Sequence, residues 1–326
     1  MKEKKEGFLN SSFLYPEKKP IVVISRCLNF ENTRYNGGII KDEFVLKLIR
    51  FVKYITVCPE VDIGLSVPRE PINIFNYGED FRLIQEKTNL DLTEKMNIFC
   101  EKFLNSLNNI DGFLLKSKSP SCGVSGTVIY YEKDGKKSGY RGKGFFAMRV
   151  KEKFPYLPVE DEARLKNPDI KFHFLVRIFS FFELNETLKN MISIKQLLDF
   201  HQNYKYLLMA YNQKILRFLG NFLANYDNSK NIGEIKENYR VNFYKAFSKK
   251  MNPKSNINVI QHIYGHFKNR LNQKEKRHFL DLLGRYKKNE IPLILLIEIL
   301  KNFAYRFENE YLIKQKYLNP FPSDLF

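Results

Sequence analysis

The four cysteines are the side chains of this sequence with the widest range of chemistry, and three of them share a setting. Cys27, Cys58 and Cys122 each follow an apolar or β-branched segment, which predicts a strand. In an open parallel sheet the carboxyl ends of the strands face one crevice, where ligands bind. We therefore expect these three thiols to lie close together. Cys100 falls on the apolar face of a predicted helix and is expected in the core.

Three convergent thiols limit the kinds of metal site that are compatible with the sequence. Structural zinc usually has four ligands, often supplied by Cys-x-x-Cys pairs, and the sequence contains no such pair. An iron–sulfur cluster held by three cysteines leaves one iron without a protein ligand, and that iron acts as a Lewis acid towards a substrate. The spacing alone leaves open the alternative of three unrelated buried thiols.

Polar residues accompany Cys58 and the segments on either side of it. Cys58 opens the triplet CPE, which makes Glu60 a candidate general base. Arg69, in the segment PREP, is a candidate for binding a phosphate or a carbonyl group, and an ion pair with Glu70 or another acid is the alternative. The segment TRYNGG (33–38) contains Asn-Gly-Gly, which is typical of a turn and offers backbone N–H groups to an anion. Its candidate substrate-binding residues are Arg34, Tyr35, Asn36, Gly37 and Gly38.

Cys122 lies in the polar segment KSKSPSCG. Hydroxyl groups make Ser119 and Ser121 candidate catalytic residues, and positive charges make Lys116 and Lys118 candidates for substrate binding. An ordinary solvated lysine is the alternative for Lys118. A cysteine kept for packing normally has apolar neighbours, so the polarity of this segment favours a chemical role for Cys122.

The first half of the chain alternates two kinds of segment. Strand-like segments lie at 19–28, 54–65 and 112–118, and helix-like segments lie between them at 42–52 and 93–107. This order predicts a parallel sheet covered by helices, that is, a Rossmann-like α/β domain.

After about residue 170 the strand signals nearly vanish, and an all-α domain is expected. Helical periodicity predicts helices at 193–223, 233–251, 256–271, 274–287 and 291–317. The predicted organisation is an N-terminal extension over 1–18, an α/β domain over 19–180 and a helical domain over 181–326, joined by a helical connector near 175–193.

The chain is strongly basic, with a net charge of +18, of which +7 lies in residues 1–180 and +11 in residues 181–326. A surplus of this size favours a polyanionic partner such as RNA; a composition rich in Lys, Asn, Ile and Phe is the alternative explanation. The apolar stretches are short, and the N-terminus lacks the apolar segment of a secretory signal. We therefore expect a cytoplasmic protein without a membrane span, whose cysteines are thiols or metal ligands rather than disulfides.

The candidate RNA-binding residues are cations near the ends of the predicted helices, namely Lys249, Lys250, Lys254, Lys268, Arg270, Lys274, Lys276, Arg277, Arg285, Lys287 and Lys288. The aromatic residues close to them, candidates for stacking on bases, are Tyr244, Phe247, Phe267 and Tyr286. The alternative is a solvated basic face above core aromatics. His262 and His266 have the i, i+4 spacing of a metal pair, but no third ligand is near, so packing or hydrogen bonding is expected.

Several spaced motifs carry a resemblance to a known family. In chain order they are SRCL, RYNGG, VCPEV with GLSVPRE, KSKSPSCG, and RGKGFFA with FPYLPVEDEARL, all within about residues 19–180. Together they resemble the TudS-type thiouracil desulfidase family. The segments FHQNYKYLLMAY (200–211), NVIQHIYGHFK (258–268) and QKYLNPFP (315–322) resemble the helical domain fused to that family in RudS-type proteins, which act on 4-thiouridine in tRNA.

The resemblance implies a four-iron, four-sulfur (4Fe-4S) cluster bound by three cysteines, which by motif are Cys27, Cys58 and Cys122. It also implies that the fourth iron binds the substrate sulfur without net redox change. The acid of CPE and a serine of SPSC assist in the family, which points here to Glu60 and Ser119. The sequence leaves open whether Ser119 or Ser121 supplies the hydroxyl.

The implied function is desulfidation of 4-thiouridine in tRNA to uridine with release of sulfide, and the implied partner is thiolated tRNA. The alternatives are a desulfidase for free thiopyrimidines or nucleotides, and a non-catalytic iron–sulfur protein that binds RNA. In one departure, Tyr204 and Tyr211 stand where such helical domains often have histidines, while His201 is kept. The three cysteines are intact, so the departure does not affect the expected core activity.

Overall fold

The computed structural model describes residues 18–133, 136–225 and 231–326. The described residues form two compact units, one over 18–182 with 324–326 and the other over 183–323. The predicted N-terminal extension lies, except for its last residue, outside the described residues.

The first unit contains two sheets. Its strands, in chain order, are β1 (Ile21–Ser25), β2 (Lys53–Val57), β3 (Asn73–Tyr77), β4 (Asp80–Gln85), β5 (Leu90–Asp91), β6 (Gly112–Leu115), β7 (Thr127–Lys133), β8 (Lys136–Gly142) and β9 (Val159–Asp161). The first sheet has the order β2-β1-β6-β9, and every neighbouring pair in it is parallel. The second has the order β5-β4-β3-β7-β8 and is mixed.

The parallel sheet forms because its central strands are apolar on both faces. Val22, Val23 and Ile24 of β1 are fully buried, as are Phe113 and Leu114 of β6. Strands covered by helices on both sides have such continuous apolar runs. The three predicted strands are therefore present, although shorter than expected, and the predicted α/β fold class is confirmed.

The second sheet was not predicted from the sequence. It pairs β3 with β4 antiparallel and β3 with β7 parallel. Its edge strand β8 (KKSGYRG) contains no buried residue. Strand β8 lacks the apolar alternation on which a prediction of strands depends, so its omission follows from its exposure.

Helices complete the first unit. They are α1 (Glu43–Leu48), α2 (Pro59–Asp62), α3 (Thr93–Ser106), α4 (Phe145–Lys153) and α5 (Pro168–Asn190), the last of which continues beyond residue 182. Helix α3 buries Met96, Cys100 and Leu104 at helical spacing. Cys100 is therefore a core residue, as predicted.

The second unit is helical in its described part, so the predicted all-α character is confirmed. Beyond α5 its helices are α6 (Ile194–Tyr211), α7 (Gln213–Ala224), α8 (Ile232–Ala246), α9 (Pro253–Gly265), α10 (Gln273–Lys287), α11 (Leu293–Arg306) and α12 (Glu310–Ile313). None of the helices in the described ranges is long and apolar enough to span a lipid bilayer.

Two of the predicted helices are each divided in the structure. The predicted helix 193–223 breaks at Asn212, which has an extended backbone and accepts a hydrogen bond from the N–H of Ile215 at 3.1 Å. The predicted helix 291–317 breaks at Glu308, where φ is 49°, and Asn309 then accepts from the N–H of Leu312 at 3.1 Å. An asparagine side chain that satisfies a terminal N–H starts a new helix, which apolar periodicity alone does not reveal.

The core of the second unit is rich in aromatic side chains. Tyr239, Phe243 and Phe247, which lie four residues apart in the chain, are completely buried, and so is Phe267. Tyr286 is buried as well. The predicted stacking of Phe247, Phe267 and Tyr286 on RNA bases is therefore wrong, because these rings are covered by protein.

Candidate active site

Each of the three candidate ligand cysteines lies beyond the carboxyl end of a strand in the parallel sheet. Cys27 follows β1, Cys58 directly follows β2, and Cys122 follows β6 after a short loop. All three line one cavity of 440 Å³. The exposed fractions of these residues are 8%, 8% and 5%. The three thiols thus converge on one cavity and are nearly covered.

Asp62 connects the loops that carry Cys27 and Cys58. Its carboxylate accepts a hydrogen bond from the backbone N–H of Cys58 at 3.1 Å and forms an ion pair with Arg26 at 2.8 Å. Arg26 directly precedes Cys27. Pro59 occupies the first turn of α2, where a missing N–H costs no helix hydrogen bond. These contacts hold the two strand ends together.

A hydrogen-bonded turn presents Cys122 to the cavity. The Ser119 hydroxyl oxygen accepts from the backbone N–H groups of Ser121 at 3.2 Å and of Cys122 at 3.1 Å. The Ser119 carbonyl accepts from the N–H of Gly123 at 2.9 Å and from the hydroxyl of Thr127 at 3.1 Å. The turn is therefore held by Ser119 on both sides of its backbone.

Helix α4 begins against this turn. The N–H groups of Phe145 and Ala147 donate to the carbonyls of Pro120 at 2.8 Å and of Ser121 at 3.1 Å. Gly144, just before the helix, packs on the same backbone, and a Cβ there would lie 2.5 Å from the Ser121 carbonyl oxygen. Since no real Cβ approaches an oxygen so closely, position 144 requires glycine.

Burial dominates the electrostatics of the three thiols. It raises the pKa of Cys27 to about 12, raises the pKa of Cys122 well above its ordinary value, and also raises the pKa of Cys58. Negative charge on Cys58 raises the pKa of Cys27 further, whereas the Lys116 cation lowers it. Thiolates at all three positions would repel one another, so they require additional positive charge in the cavity.

Glu60, on α2, is held from two sides. Arg69 donates to its Oε2 through Nε at 2.9 Å and through Nη2 at 2.6 Å, and the Ser121 hydroxyl donates to its Oε1 at 3.0 Å. Arg69 also donates to the carbonyl of Thr33 at 2.9 Å, and only 4% of its side chain is exposed. The Arg69 guanidinium therefore orients the candidate base Glu60. Of the two roles that the sequence left open for Arg69, the structure shows the ion pair with an acid.

A second charge pair joins Lys116, on the cavity wall, to the buried Glu162. The Lys116 Nζ is 2.6 Å from the Glu162 Oε1, and Ser117 donates to the same carboxylate through its N–H at 2.8 Å and its hydroxyl at 2.7 Å. Burial acts to raise the pKa of Glu162, but the hydrogen bonds from Lys116 and Ser117 hold it below its usual range. Lys116 is thus paired with a protein carboxylate beside the thiols.

The cavity gathers most of the residues selected from the sequence. Besides the cysteines, its wall includes Arg34, Tyr35, Glu60, Arg69, Lys116, Lys118 and Ser119. Ser121 is completely buried and is not one of the described wall residues. Gly37 donates its N–H to the Arg34 carbonyl at 2.9 Å, and Gly38 donates to the Asn36 Oδ1 at 3.2 Å. These amides stabilise their own turn, and none of Asn36, Gly37 and Gly38 is among the described wall residues.

Several wall residues were not selected from the sequence, among them Ser25, Thr33, Pro71, Ile72 and Asn73. Ser25 is the last residue of β1, so the rule that selected Cys27 would also have selected it. Thr33 opens the turn segment TRYNGG, although it was not itself selected. Ser117, a further hydroxyl donor recognised in the KSKSPSCG segment, also lies on the wall. The sequence has no comparable signal for Asn73, because it reaches the cavity from the second sheet.

Of the proposed RNA-binding cations, all except Lys276 are exposed on the second unit. Two histidines of this unit have hydrogen-bond partners in the protein. His266 Nε2 is 3.0 Å from the Tyr206 hydroxyl, and His201 Nδ1 is 3.0 Å from the Tyr239 hydroxyl. The hydrogen-bonding role expected for His266 is therefore present.

Comparisons with known proteins identify two matched regions of the chain. A family model described as 2-thiouracil desulfurase matches residues 22–162, and one described as a protein of unknown function (DUF1722) matches residues 205–322. The chain is 34% identical over 139 residues to the uncharacterized protein YbbK of Bacillus subtilis (strain 168), covering 40% of this chain and 90% of YbbK. It is 28% identical over 148 residues to the uncharacterized protein YbgA of Escherichia coli (strain K12), covering 45% of this chain and 88% of YbgA. Among solved structures, the 4Fe-4S-dependent thiouracil desulfidase TudS is 29% identical with a TM-score of 0.37, covering 47% of this chain and 97% of that chain.

The first unit is thus an α/β domain whose parallel sheet brings three thiols and a carboxylate to one cavity. The chain belongs to the 2-thiouracil desulfurase family, and the matched region contains Cys27, Cys58 and Cys122. The resemblance to TudS-type desulfidases stated from the sequence is confirmed, and the enzyme class is that of a desulfidase.

Proposed function

We propose that this protein is an iron–sulfur-dependent desulfidase that converts 4-thiouridine in tRNA to uridine. The observation that carries the proposal is the convergence of three buried thiols, the Glu60 carboxylate and the Ser119 hydroxyl on one cavity. Its volume of 440 Å³ falls in the range of small-ligand sites. Membership of the family supports removal of sulfur from a thiolated pyrimidine.

The donor set fits a cluster better than a single metal ion. In the ranges that the structure describes, no group of three or more His, Cys, Asp or Glu side chains lies together as the ligands of a metal ion do. Sulfur ligands of one tetrahedral ion lie about 4 Å apart, because each bond is about 2.3 Å long. In a cluster each cysteine binds a separate iron, so its ligands lie further apart. Iron-borne positive charge would also offset the repulsion among three buried thiolates.

We therefore assign Cys27, Cys58 and Cys122 as the ligands of a 4Fe-4S cluster. When bound, the cluster supplies an iron with an open position that acts as a Lewis acid on the substrate sulfur. Lys116 lies beside the thiols and lowers the pKa of Cys27, which favours the thiolate form that a ligand requires.

The protein groups on the wall move the protons. As water attacks the carbon that bears sulfur, Glu60 accepts one water proton at Oε1, while Arg69 keeps its other oxygen in place. Ser119 is the better hydroxyl donor to the substrate, because its oxygen is held by backbone N–H groups and its proton is given to no described protein atom. Ser121 instead donates to Glu60 and positions it. The reaction consumes one water, replaces C=S by C=O and releases hydrogen sulfide without transfer of electrons.

The second unit supports tRNA rather than a free base as the substrate. Its proposed RNA-binding cations are exposed, apart from Lys276, and residues 181–326 carry a net charge of +11. Cations on a surface bind the phosphate backbone without regard to sequence. A thiolated base within folded RNA must be turned out of its stack to enter the cavity, and contacts to the backbone hold the RNA while that occurs.

The test is desulfidation by the reconstituted protein under anaerobic conditions. Thiolated tRNA and free 4-thiouridine are incubated separately with it, the products are digested to nucleosides, and 4-thiouridine, uridine and sulfide are quantified. We expect tRNA to lose 4-thiouridine with one sulfide released per uridine formed. A free nucleoside processed as efficiently as tRNA would exclude the tRNA assignment, and a cluster-loaded protein that changes neither substrate would be a non-catalytic RNA-binding protein.

A matched pair of cysteine variants isolates the role of the cluster. Cys122→Ser should lose both the visible absorbance of the cluster and the activity, because it removes a ligand on the cavity wall. Cys100→Ser is the control, since Cys100 is buried in α3 away from the wall and is likewise a free thiol. Equal iron content in the two variants would contradict the assignment of Cys122.

A further inference from the structure

A buried hydroxyl group beside Cys58 is not used by the chemistry described above. Thr33 is 6% exposed and lies on the cavity wall, and its Oγ1 completes no hydrogen bond with any described residue. A buried hydroxyl without an acceptor is unfavourable, because it has given up its hydrogen bonds to water. We therefore expect the Thr33 hydroxyl to find its acceptor when a cofactor is bound in the cavity.

The sulfur of Cys58 is the neighbour whose hydrogen bonding changes on binding a metal. In this structure the Cys58 S–H donates to the Thr33 carbonyl at 3.8 Å. A cysteine binds iron as a thiolate, so ligation removes that proton and turns the sulfur from a donor into an acceptor. Thr33 already contacts this sulfur through its carbonyl, and its unpartnered hydroxyl lies on the same cavity wall, where it can donate to a thiolate.

Cys122 has a hydroxyl neighbour of the same kind. Ser25 is 1% exposed, and its oxygen accepts from the backbone N–H of Lys116 at 2.9 Å. Its own proton goes to no oxygen or nitrogen among the described residues. Ser25 and Cys122 lie on the same cavity wall, with the Ser25 hydroxyl within hydrogen-bonding reach of the Cys122 sulfur. Two of the three thiols thus have a buried hydroxyl beside them.

We propose that Thr33 and Ser25 are hydrogen-bond donors to the cluster-bound sulfur atoms of Cys58 and Cys122. The inference rests on the proposed function, since it requires both cysteines to be ligands. Both hydroxyls are positioning residues that act through the ligand sulfurs. Hydrogen bonds to these sulfurs draw negative charge from the cluster, which raises its reduction potential and makes its open iron a stronger Lewis acid.

The test measures the midpoint potential of the reconstituted cluster without substrate, together with the melting temperature of the metal-free protein. Thr33→Val keeps the shape of the side chain and removes the hydroxyl. We expect its cluster to have a lower potential than that of the wild type; a tenfold loss of preference for the reduced cluster corresponds to 59 mV for one electron. We also expect the metal-free variant to melt about 2–4 °C higher, because an unsatisfied buried hydroxyl is gone.

Two further variants separate the hydroxyl from other effects. Thr33→Ser should restore the wild-type potential, because it restores the donor. Thr187→Val is the matched control: Thr187 is also a buried threonine, but its hydroxyl donates to the Glu183 carbonyl at 2.7 Å in the second unit. The Thr187→Val variant should neither raise the melting temperature nor change the midpoint potential of the cluster. An unchanged potential in Thr33→Val, or an equal decrease in Thr33→Ser, would overturn the proposal for Thr33.

Ser25→Ala tests the second donor with an opposite effect on stability. Its cluster potential should also fall, but its metal-free protein should melt at a lower temperature because the Lys116 N–H loses its acceptor. An unchanged potential in this variant removes Ser25 from the proposal. A wild-type protein that binds no cluster would overturn the proposed function and this inference together, whereas a bound cluster insensitive to both hydroxyls would overturn the inference alone.

Discussion

At the scale of single residues, the structure assigns different surroundings to groups that look equivalent in the sequence. Ser119 and Ser121 both belong to SPSC, yet only Ser119 is among the described wall residues, while Ser121 is buried and donates to Glu60. Glu60 and Glu162 are both buried carboxylates with a cationic partner, but of the two only Glu60 is among the described wall residues. Glu60 is therefore the carboxylate available for proton transfer.

Glu60→Gln is expected to retain the cluster and to lose activity. The amide keeps the size of the side chain but cannot take a proton from water, and general-base catalysis contributes about 10²–10⁴-fold. Anaerobic absorbance and turnover of thiolated tRNA measure the two properties separately. Glu70→Gln is the control, because Glu70 forms an exposed pair with Lys87 at 2.9 Å and such pairs contribute little. Normal turnover in Glu60→Gln would refute the base assignment.

His201 is expected to make the protein less stable in mild acid. Burial lowers its pKa to about 4, from an ordinary value of 6.5. Between these values the unfolded chain binds a proton that the folded protein does not, so stability is lost as the pH falls from 6.5 towards 4. The loss is on the order of 1–3 kcal/mol. Denaturant unfolding at a series of pH values measures it.

His201→Asn should flatten this dependence on pH, because asparagine offers the Tyr239 hydroxyl a partner without titrating. His278→Asn is the control, since His278 is exposed on α10. An equal slope in the wild type and in His201→Asn would show that other groups cause the loss in acid.

At the scale of elements, the geometry of the cavity depends on contacts that join the cysteine loops to helices α2 and α4. The N-terminus of α4 donates to the carbonyls of the Cys122 turn, and Asp62 of α2 links the Cys58 backbone to Arg26. Both helices therefore fix cysteine loops that would otherwise be mobile, as is needed when ligands from distant parts of a chain bind one cofactor.

Gly144→Ala is expected to weaken cluster binding by displacing the Cys122 turn. The added Cβ would lie 2.5 Å from the Ser121 carbonyl oxygen and 2.8 Å from the Gly123 nitrogen, and such overpacking costs about 1–3 kcal/mol. Gly265→Ala is the control, because a Cβ there meets no heavy atom within 4 Å. Thermal unfolding and iron content after reconstitution are measured for both. Unchanged iron content and melting temperature in Gly144→Ala would contradict the role of this contact.

The elements also show how far the sequence predicts the fold. β1 and β6 were predicted because their runs of apolar residues are buried in the sheet. β2 was predicted from its β-branched residues, although only Val57 of this strand is buried. β8 was missed because it contains no buried residue. The break at Asn212 was missed because the Asn212 side chain caps a new helix there, and a cap does not alter the periodicity of apolar residues. Local apolar patterning is thus predictable, whereas elements held by pairing or capping are not.

At the scale of the whole molecule, charge is the property most relevant to the proposed substrate. The net charge of +18 includes +11 in residues 181–326, and the predicted cations there are exposed, apart from Lys276. The aromatic side chains predicted to stack on bases are largely in the core. Binding of tRNA by this unit should therefore depend on phosphate contacts, which are sensitive to salt.

Affinity for tRNA is expected to fall at least about tenfold between 50 and 200 mM salt, because each neutralised phosphate releases counterions. The double variant Lys287→Glu, Lys288→Glu should bind more weakly at every salt concentration and show a smaller salt dependence. Lys95→Glu, an exposed residue of α3 in the first unit, is the control. Filter-binding or fluorescence titrations give the affinities. A salt-independent affinity would contradict electrostatic binding by the second unit.

The sequence by itself determined the fold class, the three strand-end cysteines and the carboxylate beside Cys58. These features depend on residue type and on neighbours close in the chain, which a sequence displays directly. The tertiary structure decided which groups are paired: Arg69 with Glu60, Lys116 with Glu162, and Ser121 rather than Ser119 with the candidate base. It also placed Thr33 beside the Cys58 sulfur. Such pairings join residues that lie far apart in the chain, so they are set by packing and burial rather than by local pattern.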